Sequence, residues 1–118
     1  MTIEFVNHAS VIFNYEKLKL ISDPWLEGAV FDNGWNHLSE TSFKYEDFKR
    51  ITHIWFPHEH PDHFYPPNIN KIPKGLREKI TVLYRETKDK KVLNYCEKMG
   101  FKDVIELPNS TWVEIEGL

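Results

Sequence analysis

Hydrophobic and polar positions alternate along the start of the chain and predict consecutive strands. Thr2 to Val6 is a short β-rich run. Ser10 to Tyr15 and Lys19 to Ser22 flank Glu16-Lys17, whose residues suit a tight turn. In the second of these runs Leu18, Leu20 and Ser22 alternate with Lys17, Lys19 and Ile21, the pattern of a half-buried antiparallel strand. Asp23-Pro24 ends it, because proline lacks a donor and pushes its predecessor out of helical geometry. Trp25 to Ser42 then reads as a long ordered loop: it holds Gly28, Asn33 and Gly34, but also Trp25, Phe31 and Trp35. A short helix is predicted over Ser42 to Arg50, capped by Thr41 or Ser42, with Phe43 and Phe48 on its inner side.

The pattern changes in the second half. Ile51 to Phe56, ending in the apolar residues Ile54-Trp55-Phe56, predicts a buried strand. Pro66-Pro67, Pro73 and Gly75 restrict the stretch to Lys79 to short helical turns. Ile80 to Tyr84 predicts another strand. Thr87 or Asp89 caps a helix to Met99, with Val92, Cys96 and Met99 as its buried stripe, Leu93 and Tyr95 beside it, and Gly100 just past its end. Val104 to Leu107 is a further strand, and Pro108-Asn109-Ser110 turns the chain into a last one, Trp112 to Ile115. Strands alternating with helical stretches predict βαβ units and a layered α/β domain.

Composition narrows the function. The 118 residues make one domain with a modest core, 41% hydrophobic and 14% aromatic, which excludes a disordered chain. A net charge of -3 and no stripe of Lys and Arg interleaved with aromatics argue against a nucleic-acid partner. No apolar run is long enough for a membrane span, and MTIEFVNHAS is not a basic segment followed by an apolar one, so a cytoplasmic location is expected. The single cysteine, Cys96, fits a reducing compartment.

The chemistry is concentrated in His58-Glu59-His60-Pro61-Asp62-His63, directly after the apolar run Ile54-Trp55-Phe56-Pro57. Imidazole nitrogen and carboxylate oxygen are the donors that Zn²⁺ and similar divalent ions take. His58 and His60, two apart, project to one side of an extended segment. Pro61 stiffens the turn between the two halves. Asp62 and His63, being adjacent, point differently and suit a second ion or a water. Such a site makes a metal-dependent hydrolase the first expectation. Trp25, Phe31 and Trp35 suit stacking on a sugar or base, and equally ordinary packing.

The H-x-H-x-D-H motif after a strand resembles the signature of the metallo-β-lactamase-fold hydrolase superfamily. Asn7-His8-Ala9-Ser10, a hairpin, and then Leu20-Ile21-Ser22-Asp23-Pro24-Trp25 resemble the branch that holds ascorbate-phosphate lactonases and CMP-N-acetylneuraminate hydroxylase-like proteins. Phe31-Asp32-Asn33-Gly34-Trp35 adds to the likeness with the latter. The resemblance implies an αββα sandwich and two divalent ions in the complete domain, zinc first, with manganese or iron also suited. It places His58 and His60 on the first ion, Asp62 and His63 on the second, and Asp62 as the catalytic group that orients the water. Asp23 would steady the motif from behind, and His8 would line the pocket. The reaction implied is attack of a metal-activated water on an ester, lactone or phosphodiester of a small molecule such as a sugar, nucleotide sugar or phosphate ester.

The second-half ligands of that superfamily have no counterpart here, since no histidine follows His63. Residues 1–118 are therefore expected to be the N-terminal part of a metallo-β-lactamase-like domain, cut off at its C-terminus. Such a fragment has little activity and self-associates through uncovered sheet surface. Two alternatives stay open: a binding or assembly module with a vestigial metal site, and an iron-dependent oxygenase acting on a nucleotide sugar.

Overall fold

A computed structural model describes residues 1–31 and 33–118; Asp32, within the Phe31–Trp35 pattern, lies outside the described residues. Its six strands are β1 (Thr2–Asn7), β2 (Ser10–Tyr15), β3 (Leu18–Ser22), β4 (His53–Phe56), β5 (Thr81–Arg85) and β6 (Asp103–Leu107). They form one sheet in sequence order. β1, β2 and β3 are antiparallel neighbours, while β3, β4, β5 and β6 run parallel. Parallel neighbours need crossovers. These carry a 3₁₀ turn (Tyr45–Arg50), two one-turn helices α1 (Pro66–Ile69) and α2 (Lys74–Arg77), and α3 (Lys91–Lys98).

Alternation along the strands sorts side chains onto two faces. Ile12, Ile21, Ile54 and Val82 lie in register across the sheet and are fully buried. They pack with Phe48, Phe64, Ile69, Ile72, Val92, Cys96 and Phe101 from the crossovers, and this is the core. The opposite face carries Phe5, Phe13, Leu20, Trp55, Leu83 and Ile105. The C-terminal residues Trp112–Leu118 line a groove with its centre, at Leu18, Leu20, Trp55 and Leu83. Phe5 and Ile105 stay exposed.

The predicted strands all form except the last. Trp112–Ile115 alternates as a strand does, but it lies against the sheet face rather than in the ladder, and Trp112 is fully exposed. The predicted helix over Ser42 to Arg50 shrinks to the 3₁₀ turn. The backbone is still extended at Lys44 (φ -110°, ψ 163°), so the cap is Lys44 rather than Thr41 or Ser42, and the Lys44 N–H donates to Asp47 Oδ2. In α3 neither Thr87 nor Asp89 is the cap. Lys90 takes that place in left-handed geometry, and Asp89 Oδ1 accepts the Lys91 N–H. Gly100 follows it with φ +76°, as a glycine past a helix end does.

Topology fixes where chemistry can gather. β3 and β4 are parallel, so Asp23 and the 58–63 loop leave the sheet at the same edge. β2 opposes β3, so the β1–β2 turn at His8-Ala9 reaches that edge too. The C-terminal edge of parallel strands is where α/β sheets bind ligands.

Candidate metal centre

The 58–63 loop is folded by one carbonyl. His60 O accepts the N–H groups of His63 (2.9 Å) and Phe64 (2.8 Å), a helical turn that swings Asp62 and His63 away from the extended His58–His60 segment. Phe64 anchors the turn in the core, edge-on to Phe56. The four motif side chains divide accordingly. His58 Nδ1 and His60 Nδ1 are 2.8 Å apart. Asp62 and His63 point toward β1 and β3, and the His58 and His63 rings stand 4.9 Å apart.

His8 completes the second group. Its Nε2 is 3.0 Å from Asp62 Oδ2, and His63 Nε2 is 3.3 Å from the same oxygen. One ligand atom from each of His8, Asp62 and His63 lies within 4.8 Å of the others. Ser22 sets the hairpin that carries His8: its hydroxyl donates to Ala9 O (3.1 Å) and accepts the Val11 N–H (3.2 Å). His8 itself sits at φ +49°.

Asp23 lies behind His63, Oδ1 to Nδ1 at 3.1 Å. Its own N–H donates to Trp55 O at the end of β4. The two atoms are close but off the hydrogen-bonding line, so each is buried without an aligned partner. Burial pushes the Asp23 carboxyl up to about 6, against the opposing pull of His63. His58 is held below its usual value by desolvation and by the His63 and His60 rings, which keeps it in the neutral form that ligates metal.

These donors fit a divalent ion. Two ligands at about 2.0–2.2 Å in tetrahedral geometry stand roughly 3.3–3.6 Å apart, and the Asp62–His63 and Asp62–His8 separations are at or just under that range. The His58–His60 pair is shorter because it is an N–H···N hydrogen bond, which an ion would replace by parting the rings by about half an ångström. The carboxylate of Asp23 on the far nitrogen of His63 is the support that metal-bound imidazoles ordinarily have.

The loop after β3 walls the site. Trp25 is buried, stands edge-on to His8 at 5.0 Å, and donates from Nε1 to Gly28 O (2.9 Å). His37 lies against its other side at 3.7 Å and donates from Nε2 to Trp25 O. Gly28 is required: φ is +90°, and a Cβ there would stand 3.1 Å from the Tyr65 hydroxyl. Sequence reasoning gave no role to Asn68, yet this buried side chain pins the loop. Its Oδ1 accepts the N–H groups of Leu26 (2.6 Å) and Glu27 (3.1 Å), and its Nδ2 donates to Glu27 O (3.0 Å). The only signal was a polar residue directly after the helix-starting Pro66-Pro67.

Comparison with known proteins adds the following. No family model matches the chain. It is 27% identical over 117 residues to the cytidine monophosphate-N-acetylneuraminic acid hydroxylase of Xenopus laevis, which is 97% of this chain and 20% of that protein. The Danio rerio protein of the same name is 25% identical over 98% of the chain, again 20% of its own length. The chain thus spans about a fifth of the curated relatives it matches. Among solved structures, a possible metal-dependent hydrolase from Veillonella parvula DSM 2008 superposes with a TM-score of 0.70 at 21% identity, over 98% of this chain and 44% of the other. The isothiocyanate hydrolase from Delia radicum gut bacteria gives 0.64 at 20% identity, over 91% and 41%. The resemblance to metallo-β-lactamase-fold hydrolases is thereby upheld at the level of the fold: one sheet with a helical layer, matching under half of each of the two solved chains.

Proposed function

We propose that the chain is the metal-holding part of a metal-dependent hydrolase acting on a small molecule. The observation that carries this reading is the convergence of His8, Asp62 and His63 at one sheet edge, with Asp23 behind them. His58 and His60 would hold one ion, and Asp62 and His63 a second, with His8 as a third donor to the latter. Zinc suits these ligands, and so do manganese and iron. Bound there, the metal supplies Lewis acidity, polarising a substrate oxygen and bringing a water to ionisation near neutral pH. The chain's own residues do the rest. Asp62 accepts a hydrogen bond from the attacking water and so aims it at an ester, lactone or phosphodiester. Asp23 fixes which nitrogen His63 presents. Trp25, buried against His8, excludes solvent from that side.

The coverage of the solved structures and the exposed sheet face support reading residues 1–118 as the N-terminal part of a metallo-β-lactamase-like domain. Further ligands would then come from the remainder, and this part alone would turn over poorly and self-associate through Phe5, Phe13 and Ile105. No helix among the described residues is long and apolar enough to cross a membrane, and a cytoplasmic site of action is part of this reading. The test is metal analysis of the complete gene product, which should find about two ions per chain. His60→Ala should then abolish turnover while leaving the circular dichroism spectrum unchanged. Complete protein free of divalent metal would defeat the hydrolase reading and leave a binding or assembly module.

A second reading is favoured by the curated relatives, which are named as hydroxylases of a nucleotide sugar. It would make the site an iron centre of an oxygenase. With one cysteine, this chain carries no iron–sulfur motif of its own, so the electron donor would lie elsewhere. Redox cycling of bound iron separates the two.

A further inference from the structure

The tip of the loop after β3 carries an arrangement that packing does not account for. Val30 and Trp35 exchange backbone hydrogen bonds (2.9 and 3.1 Å) and close a small hairpin. Inside it Phe31 sits at φ +53°, a region that a bulky side chain rarely occupies, and Asn33 at φ +66°. Gly34 donates to Phe31 O at 2.9 Å, and a Cβ at position 34 would stand equally close to that oxygen, so the turn admits only glycine there. Backbone strain persists where the surrounding structure enforces it, and it gathers at ligand sites. Here its effect is to hold two aromatic rings outward. Phe31 and Trp35 pack edge to face at 5.1 Å, yet they remain 41% and 53% exposed. Other aromatics of the same loop are treated differently: Trp25 and Phe43 are buried. The exposed indole also stands beside the cluster, its centroid 6.4 Å from the His8 ring.

We propose that Trp35, backed by Phe31, is a substrate platform: it receives a ring with an apolar face, a nucleobase or a pyranose, and so presents the scissile group to the His8–Asp62–His63 cluster. The proposal rests on the reading of that cluster as the reaction centre. An indole held half in solvent offers its face to such a ring at little ordering cost, since the hairpin already fixes it. Phe31 fills the space behind it and keeps Trp35 from collapsing onto the loop. The indole discriminates by shape rather than by hydrogen bonds, so it sorts substrates with a broad apolar ring face, a base or a pyranose, from a bare furanose phosphate.

The test uses ¹⁵N-labelled chain and follows the indole N–H signals of Trp25, Trp35, Trp55 and Trp112, the last as a solvent-exposed reference. Three probes are titrated: adenosine monophosphate, methyl α-glucopyranoside and ribose 5-phosphate. The expected result is a saturable shift at Trp35, well above that at Trp112, with one of the two six-membered-ring probes. Response to the nucleotide alone identifies a base, and response to the glucoside identifies a sugar. Trp35→Ala should weaken that probe roughly 5- to 100-fold, the span of base–aromatic stacking, and Trp35→Phe should recover most of it. Strand amide signals serve as the check that each variant is folded. No shift at Trp35 with any probe overturns the platform, as does equal binding of ribose 5-phosphate and the nucleotide, or unchanged affinity in Trp35→Ala. A parallel Zn²⁺ titration read at the His8 and His63 imidazoles keeps the two readings apart. Zinc binding without a Trp35 response sinks the platform alone. A Trp35 response without zinc binding leaves the platform standing, and the metal reading is then decided by metal analysis of the complete gene product.

Discussion

Asp23 Oδ1 stands 3.1 Å from His63 Nδ1, on the side of the imidazole away from Asp62. With Nδ1 turned to Asp23, Nε2 is left facing Asp62 at 3.3 Å. The backbone N–H of Asp23 is tied to Trp55 O, so the carboxylate is placed by the sheet itself. Asp23→Ala should therefore lower Zn²⁺ affinity by about 10–100-fold without removing any ligand. Competition with a chromophoric chelator measures this. Equal affinities for Asp23→Ala and the parent chain would strip Asp23 of its orienting role.

His8 contributes from a hairpin rather than from the motif, so its removal and the loosening of its support should have parallel effects. Its side chain is one-third exposed. His8→Ala should accordingly leave thermal stability nearly unchanged and weaken metal binding. Ser22→Ala acts on the same hairpin from below. It leaves the Val11 N–H and the Ala9 carbonyl without their partner, at about 1–3 kcal/mol, and it frees His8 to wander. Urea titration and metal affinity should both fall for Ser22→Ala, and affinity alone for His8→Ala.

Much of this architecture is legible in the sequence because its signals are local. The alternation of Leu18, Leu20 and Ser22 marks β3, the apolar residues Ile54-Trp55-Phe56 mark β4, and the stripe Val92–Cys96 with Gly100 marks α3. The motif 58–63 is local too. What stayed hidden depends on distance along the chain. His8, put in the pocket by the resemblance and not by any spacing, lies 54 positions from Asp62 and meets it only because β1–β2 folds back along β3. Asn68 reaches across 42 positions to hold Leu26, a contact no spacing rule encodes. Trp112–Ile115 misled because alternation reports a two-faced segment and not whether a ladder partner is present.

Asn68 offers the largest stability effect among these polar residues. Removing its amide leaves the Leu26 and Glu27 N–H groups and the Glu27 carbonyl unpaired, the first of them buried. Asn68→Ala should destabilise the fold by about 2–4 kcal/mol. Asn68→Asp keeps both accepted bonds but sets a buried carboxylate oxygen against Glu27 O, so it should also destabilise, and less at acid pH, where the protonated carboxyl can donate. Hydrogen exchange at Leu26 should quicken in Asn68→Ala well before global unfolding does.

Cys96 gives the pH prediction. The thiol lies on the buried side of α3, fully enclosed in the core, and burial pushes it up to about 12. The native state thus keeps its proton where the unfolded chain, near the reference value of 9, has lost it. The stabilisation this represents is complete below pH 9 and is lost as pH climbs from there toward 12. Cys96→Ala should flatten that decline. In the native protein a disulfide reagent at pH 8 should react only as fast as the fold opens, and at once in urea.

The uncovered sheet face predicts association. Phe5 is 70% exposed on the edge strand β1, and Ile105 is 42% exposed on β6 at the opposite edge. Between them, Phe13 and Leu20 are partly covered and Trp55 lines a groove. Exposed apolar side chains on a sheet whose outer strands β1 and β6 have no further strand beside them among the described residues draw other copies of the chain. Sedimentation velocity should show weight-average mass rising with concentration. Phe5→Lys with Ile105→Lys places a charge on each side of that surface and should shift the association midpoint upward by at least tenfold, about 1.4 kcal/mol. Neither residue belongs to the His8–Asp62–His63 cluster, so Zn²⁺ affinity should be unaffected. A parent chain that stays monomeric across the same concentration range would show that the C-terminal segment, lying against Leu18 and Leu83, already covers the face well enough.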